Sequence, residues 1–154
     1  MFGALPLDMI LGMLRMLREE PFRVYHVEGR LPYEEEILVF GSNTGGRHGK
    51  GSALLAAKYY GAIEGEGHGR MGRCYAIATR KQLPNKWIIS LTLDEVKENV
   101  QKFVKYTEEH GDECFFVMGV GTSNAGFTPE QIAPMFKGAY NCSFPQSWRP
   151  YLEA

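Results

Sequence analysis

Two stretches of this chain follow the same local plan, and that plan restricts the fold more than any other feature. The first is the apolar run Ile37-Leu38-Val39-Phe40, followed by Gly41-Ser42-Asn43-Thr44-Gly45-Gly46-Arg47-His48-Gly49-Lys50-Gly51-Ser52-Ala53-Leu54. The second is Cys114-Phe115-Phe116-Val117-Met118, followed by Gly119-Val120-Gly121-Thr122-Ser123-Asn124-Ala125-Gly126-Phe127. In each, a continuous apolar run predicts a strand covered on both faces. A loop of glycines and small polar residues comes next, and then the start of a helix. A helix start leaves backbone N–H groups without intrahelical partners, at the positive end of the helix dipole. Such a junction suits an anion, most often a phosphate. Two of them side by side, at the carboxyl ends of parallel strands, predict one ligand cleft in an open α/β sheet.

The surrounding pattern agrees with alternating strands and helices. A helix is expected from about Pro6 to Arg18, apolar on more than one side through Met9, Ile10, Leu11, Met13, Leu14, Met16 and Leu17. Such a helix either packs on the body of the domain or meets a partner, and its methionines suit an adaptable contact. Residues 22–27 alternate as a strand, and Glu34-Glu35-Glu36 reads as a solvated lead-in to the strand at 37–40. Residues 53–60 form a helix that Gly61 ends, and 64–72 reads as a mobile, glycine-rich loop or lid. Residues 74–79 are a strand that Arg80-Lys81 terminates, 82–87 a loop and 88–91 an apolar connection. Thr92 and Glu95 make a capping box for the longest helix, whose buried stripe is Val96, Val100, Phe103, Val104 and Thr107. Thr128 and Pro129 occupy the N-cap and first position of a further helix, with Ile132, Ala133 and Phe136 on its inner side. The closing segment, 141–154, reads as one short strand and a turn.

Length and charge exclude some function classes. A chain of 154 residues fits one domain, with 1–20 as a helical extension, 22–140 as the core and 141–154 closing it. A net charge of −1 provides no overall basic field for duplex nucleic acid. Arg70, Arg73, Arg80, Lys81 and Lys86 could still line one rim of the cleft and hold a polynucleotide backbone. The apolar N-terminal stretch is too short and too interrupted to span a bilayer, so no membrane partner is expected. Cys74, Cys114 and Cys142 have no metal-ligand or disulfide-framework spacing. They point to a reduced, cytoplasmic setting with no metal and no cofactor.

The loops are neither of the two best-known phosphate motifs. A P-loop needs Gly at Thr44 and Ser or Thr at Gly51, and a dinucleotide fingerprint needs a third Gly at Asn124. Instead, Gly41-Ser42-Asn43 with His48-Gly49-Lys50-Gly51-Ser52-Ala53-Leu54 resembles the first ligand loop of macro domains. The likeness is to the branch of terminal ADP-ribose glycohydrolases and antitoxins that remove ADP-ribose from DNA. Gly119 to Phe127 is similar to the phosphate-holding second loop of that fold.

The resemblance implies a three-layer α/β/α domain, a mixed sheet flanked by helices, with an extra N-terminal helix. It implies binding of ADP-ribose or a related nucleotide by Gly41, Ser42, Asn43, Gly49, Lys50, Gly51, Ser52, Gly121, Thr122, Ser123, Asn124, Ala125, Gly126 and Phe127. Asn43 would hydrogen-bond a ribose, or else shape the loop as an Asx turn. Phe127 would stack near the adenine or a ribose, or else belong to the core. Hydrolytic members of the branch use a lysine at the end of the strand before the long helix and an acid in the second loop. Arg80 and Ala125 fall on those positions; an arginine stays protonated and an alanine supplies no base. A hydrolase would therefore rely on His48, Asn43 and Arg80, with His48 as base or, alternatively, as a phosphate contact.

Three functional classes follow: a reader or sequestering domain for ADP-ribosyl groups on protein or nucleic acid, an ADP-ribosyl hydrolase, and a module that oligomerises through its N-terminal helix.

Overall fold

A computed structural model describes residues 5–10 and 23–154. Residues 7–10 are helical. The rest of the expected N-terminal helix, with its role in oligomerisation, lies outside the described residues. The strands are β1 (Arg23–His26), β2 (Glu36–Asn43), β3 (Gly69–Met71), β4 (Cys74–Gln82), β5 (Ile88–Ser90), β6 (Cys114–Val117) and β7 (Cys142–Pro145). They form one mixed sheet in the order β1-β7-β6-β2-β4-β3, with β5 also on β4. The pairs β1–β7, β7–β6, β6–β2 and β2–β4 are parallel, whereas β3 and β5 run antiparallel to β4. The helices are α1 (Gly51–Tyr59), α2 (Leu93–Glu109), α3 (Pro129–Ile132) and α4 (Arg149–Leu152). Single 3-10 turns follow α3 and precede α4.

The apolar runs are continuous because both sheet faces are covered. In β2, Ile37 and Val39 point into one core and Leu38 and Phe40 into the other, as strand alternation requires. The larger core joins the sheet to Val96, Val100 and Phe103 of α2, to Ile132 and Phe136, and to Trp148 near the C-terminus. The smaller one joins Leu38, Phe40, Ala76 and Phe116 to Ala53 and Ala56 of α1. Helices on both sides of a mixed sheet make three α/β/α layers. The capping box expected at Thr92 forms with Glu95, and the N-cap expected at Thr128 proves to be a second capping box, with Gln131 as its reciprocal partner.

Three segments differ from expectation. Residues 64–72 are not a free loop: β3 forms there, and Gly67 is packed against the Asn43 carbonyl so closely that a side chain would overlap it. β4 does not stop at Arg80 but runs to Gln82, because β5 pairs with it at Arg80–Ser90, Lys81–Ile89 and Gln82–Ile88. The apolar connection at 88–91 is thus largely a strand. β2 likewise continues through the first glycine to Asn43, since β4 supplies ladder partners that far. Among the described residues, no helix is long and apolar enough to cross a membrane.

Candidate functional site

The sheet order places a crevice between β2 and β6. From β2 the chain passes through α1 to β4 on one side; from β6 it passes through α3 to β7 on the other. Loops leaving two adjacent parallel strands in opposite directions open a cleft beyond their carboxyl ends. The two glycine loops meet at its base. A Cβ on Gly41 would lie 3.3 Å from the Gly121 nitrogen, tighter than an ordinary contact, so glycine lets the two backbones approach this closely without either giving way. The resulting cleft has a volume of about 690 Å³.

Loop 1, residues 41–52, is shaped by one local side-chain clamp and by contacts remote in sequence. The Asn43 amide donates to the Arg47 carbonyl (3.0 Å) and accepts from the Arg47 N–H (3.1 Å). Both ends of that side chain therefore hold the loop, through a residue four further on rather than the two of an Asx turn. Gly65 N–H donates to the Gly46 carbonyl at 2.9 Å, and His48 N–H donates to the Glu64 carboxylate at 3.1 Å. The His48 ring is 2% exposed, and its Nε2 lies 3.0 Å from both the Ile63 and Glu66 carbonyls. Both partners are acceptors, so Nε2 carries the proton. The ring thus faces the 63–66 strap and does not line the cleft.

Loop 2, residues 119–127, is shaped by its own turns. Thr122 N–H and hydroxyl both donate to the Gly119 carbonyl (3.1 and 2.8 Å), and Gly126 N–H donates to Ser123 at 3.0 Å. Gly121 and Gly126 take φ of 75° and 81°, which favour glycine. Phe127 packs on the larger core and is absent from the cleft lining, so the core alternative describes its position. Thr122 and Gly126 also lie outside the lining; they form the loop without facing the cavity.

Of the residues expected at the site, Gly41, Ser42, Asn43, Gly49, Lys50, Gly51, Ser52, Arg80, Gly121, Ser123, Asn124 and Ala125 come together around the cleft. Arg80 is half-buried on β4 and donates to the Ile88 carbonyl at 3.0 Å; its Nε is buried with no partner. The expected basic rim does not form as a unit. Arg70 pairs with Glu113 at 2.8 Å and with the Tyr106 hydroxyl. Arg73 donates to the Glu34 carbonyl, and Lys81 does not line the cleft, which leaves Arg80 and Lys86. The cleft also takes Arg47, Thr79, Asn85, Trp87 and Ile88, which sequence reasoning did not place there. Trp87 had a visible signal: an aromatic residue directly after Pro84-Asn85-Lys86, between two short apolar runs, marks a hairpin tip.

The electrostatics have one sign. Arg47, Lys50, Arg80 and Lys86 line the cleft, while among the described residues no Asp, Glu, His or Cys does. Arg47 is partly offset by an exposed pair with Glu64 at 3.3 Å. The N-cap of α1, Lys50, makes no side-chain capping bond, and no acidic residue sits in the first turn. The helical ladder begins at Leu54 N–H to the Lys50 carbonyl (3.2 Å), so the N–H groups of Gly51, Ser52 and Ala53 precede it.

These features define a three-layer α/β/α domain with a cationic, amide-lined cleft at the switch point of its sheet. Among solved structures, the macrodomain of Mycobacterium tuberculosis DarG is similar, with a TM-score of 0.59 over 81% of this chain and 98% of that one, at 16% identity. The fold is therefore macrodomain-like. No protein-family model matches the sequence, and no curated protein does.

Proposed function

We propose that the cleft binds ADP-ribose or a related nucleotide diphosphate, with the diphosphate between loop 1 and loop 2. The observation that carries this reading is the lining itself: helix-start N–H groups at 51–53, four cationic side chains and no carboxylate among the described residues. Backbone amides at a helix start together with fixed positive charge are what a diphosphate needs. The macrodomain-like fold supports the same ligand class. Binding without bond cleavage is favoured over hydrolysis. No carboxylate or imidazole among the described residues lines the cleft to activate water, and His48 is engaged by two carbonyls elsewhere. The domain then acts as a reader or sequestering module, and its partner is the protein or nucleic acid that displays the ADP-ribosyl group.

Lys50→Asp separates ligand binding from folding. Lys50 has extended N-cap geometry, φ −146° and ψ 155°, and an aspartate there can cap the helix. It should stabilise the fold by about 1 kcal/mol, as good N-caps do. The same carboxylate places negative charge where the diphosphate would sit. Calorimetric titration with ADP-ribose should show at least a tenfold loss of affinity, roughly the 1.4 kcal/mol expected from reversing one nearby charge. Unchanged affinity in Lys50→Asp, or no heat from the wild type at high micromolar ADP-ribose, overturns the reading.

A further inference from the structure

The cleft has a wall that a diphosphate does not need. Trp87 lines it, yet the residue is 71% exposed, the joint highest among the exposed large hydrophobic residues described. A large apolar ring left in water beside a polar cavity has a physical cost, and in a binding site it is a surface for something flat. The main chain at Trp87 is fixed. At the tip of the β4–β5 hairpin, Leu83 N–H donates to the Trp87 carbonyl (2.7 Å), Lys86 N–H to Leu83 (2.8 Å) and Trp87 N–H to the Asn85 side chain (3.1 Å). Lys86 takes φ of 69°, which completes the tight turn.

The hairpin is also tied to both ligand loops. The Ser90 hydroxyl donates to the Ala125 carbonyl of loop 2 at 2.7 Å; on the loop 1 side, Thr44 N–H donates to the Arg80 carbonyl at 2.9 Å and Gln82 N–H to the Thr44 hydroxyl at 3.1 Å. The main chain that carries the indole is therefore held relative to both glycine loops, which places Trp87 at one wall of the cleft. The other tryptophan, Trp148, is buried in the larger core.

We propose that Trp87 is a stacking platform for a second flat ring, a heterocycle joined to the ribose at the hairpin end of the diphosphate, as in a dinucleoside diphosphate. This rests on the diphosphate reading above and adds a ligand class to it. ADP-ribose has one base and a bare terminal ribose; a ligand with a heterocycle at that ribose adds a π-face to meet the indole. Lys86 and Arg80, which line the same cleft, favour a neutral heterocycle over a cationic one.

The test compares ADP-ribose with P1,P2-di(adenosine-5′) diphosphate, which carries adenine where ADP-ribose has its free C1 hydroxyl. Titrations use the full chain and the variants Trp87→Ala and Trp87→Phe. Wild type should bind the dinucleotide about tenfold more tightly than ADP-ribose, within the range that one base stacked on an aromatic side chain contributes. Trp87→Ala should remove that preference and leave ADP-ribose affinity within about twofold. Trp87→Phe should keep most of the preference. Tryptophan fluorescence should be quenched by the dinucleotide in wild type and not in Trp87→Ala, where only buried Trp148 remains. If ADP-ribose binds and the second adenine adds nothing, or if Trp87→Ala weakens both ligands equally, the platform is overturned and the diphosphate reading stands. If neither ligand binds, the diphosphate reading fails and the platform fails with it.

Discussion

The two glycine loops face the same cleft but obtain their shapes in different ways. Loop 2 is closed by bonds between near neighbours, Thr122 to Gly119, Gly126 to Ser123 and Phe127 to Gly121, with one remote tie from Ser90 to Ala125, and passes into the Thr128 capping box. Loop 1 depends on a strap about twenty residues further along the chain. His48 bonds to Ile63 and Glu66, Gly65 bonds to Gly46, and Gly67 abuts Asn43. Local closure makes a loop robust and readable; remote closure makes its geometry depend on another segment's folding.

The largest expected effect comes from breaking the strap. Gly67→Ala places a methyl group into the Asn43 carbonyl, which is backbone and cannot step aside. Chemical denaturation should show a loss of about 3 kcal/mol or more, the scale of severe overpacking. A loss below 1 kcal/mol would mean that loop 1 is not held from that side. His48→Ala should come next. It removes a buried side chain and leaves the part-buried Ile63 and Glu66 carbonyls without their donor, at about 2 kcal/mol. A variant as stable as wild type would show that water takes over both bonds.

Loop 2 supplies the smaller effects. Thr128→Ala removes one half of the capping box and should cost about 1 kcal/mol, with the loss confined to residues near α3 in hydrogen exchange. Thr122→Ala, at a bond that spans only three residues, should change stability by less than about 0.5 kcal/mol. If Thr122→Ala proved as damaging as His48→Ala, the distinction between the loops would collapse.

This contrast also explains what could be read in advance. The longer strands, the Thr92 capping box, the Thr128 N-cap and the adjacency of the loops follow from apolar runs, Thr-x-x-Glu spacing, Thr-Pro at a helix start, and glycines after strands. These are signals carried within a few residues. The orientation of His48 was not legible, because its partners are backbone carbonyls that any sequence possesses. β3 and β5 were missed for a related reason. Three-residue strands carry too little alternation to register, and they exist here because the exposed edge of β4 offers them a ladder. Phe127 was ambiguous on paper because an aromatic residue after a glycine loop suits either a base or a core, and packing against Ile132's neighbourhood settled its place.

The uncapped start of α1 has a consequence for measurement. A helix whose first N–H groups lack a side-chain acceptor is completed by whatever anion enters the cleft, so the bound molecule becomes a missing piece of the architecture. Melting temperature should then climb with added diphosphate ligand. At one hundred times the dissociation constant, the gain from mass action alone is about 2.7 kcal/mol. Lys50→Asp, already carrying its own acceptor, should start from a higher melting point and respond far less to the same additions.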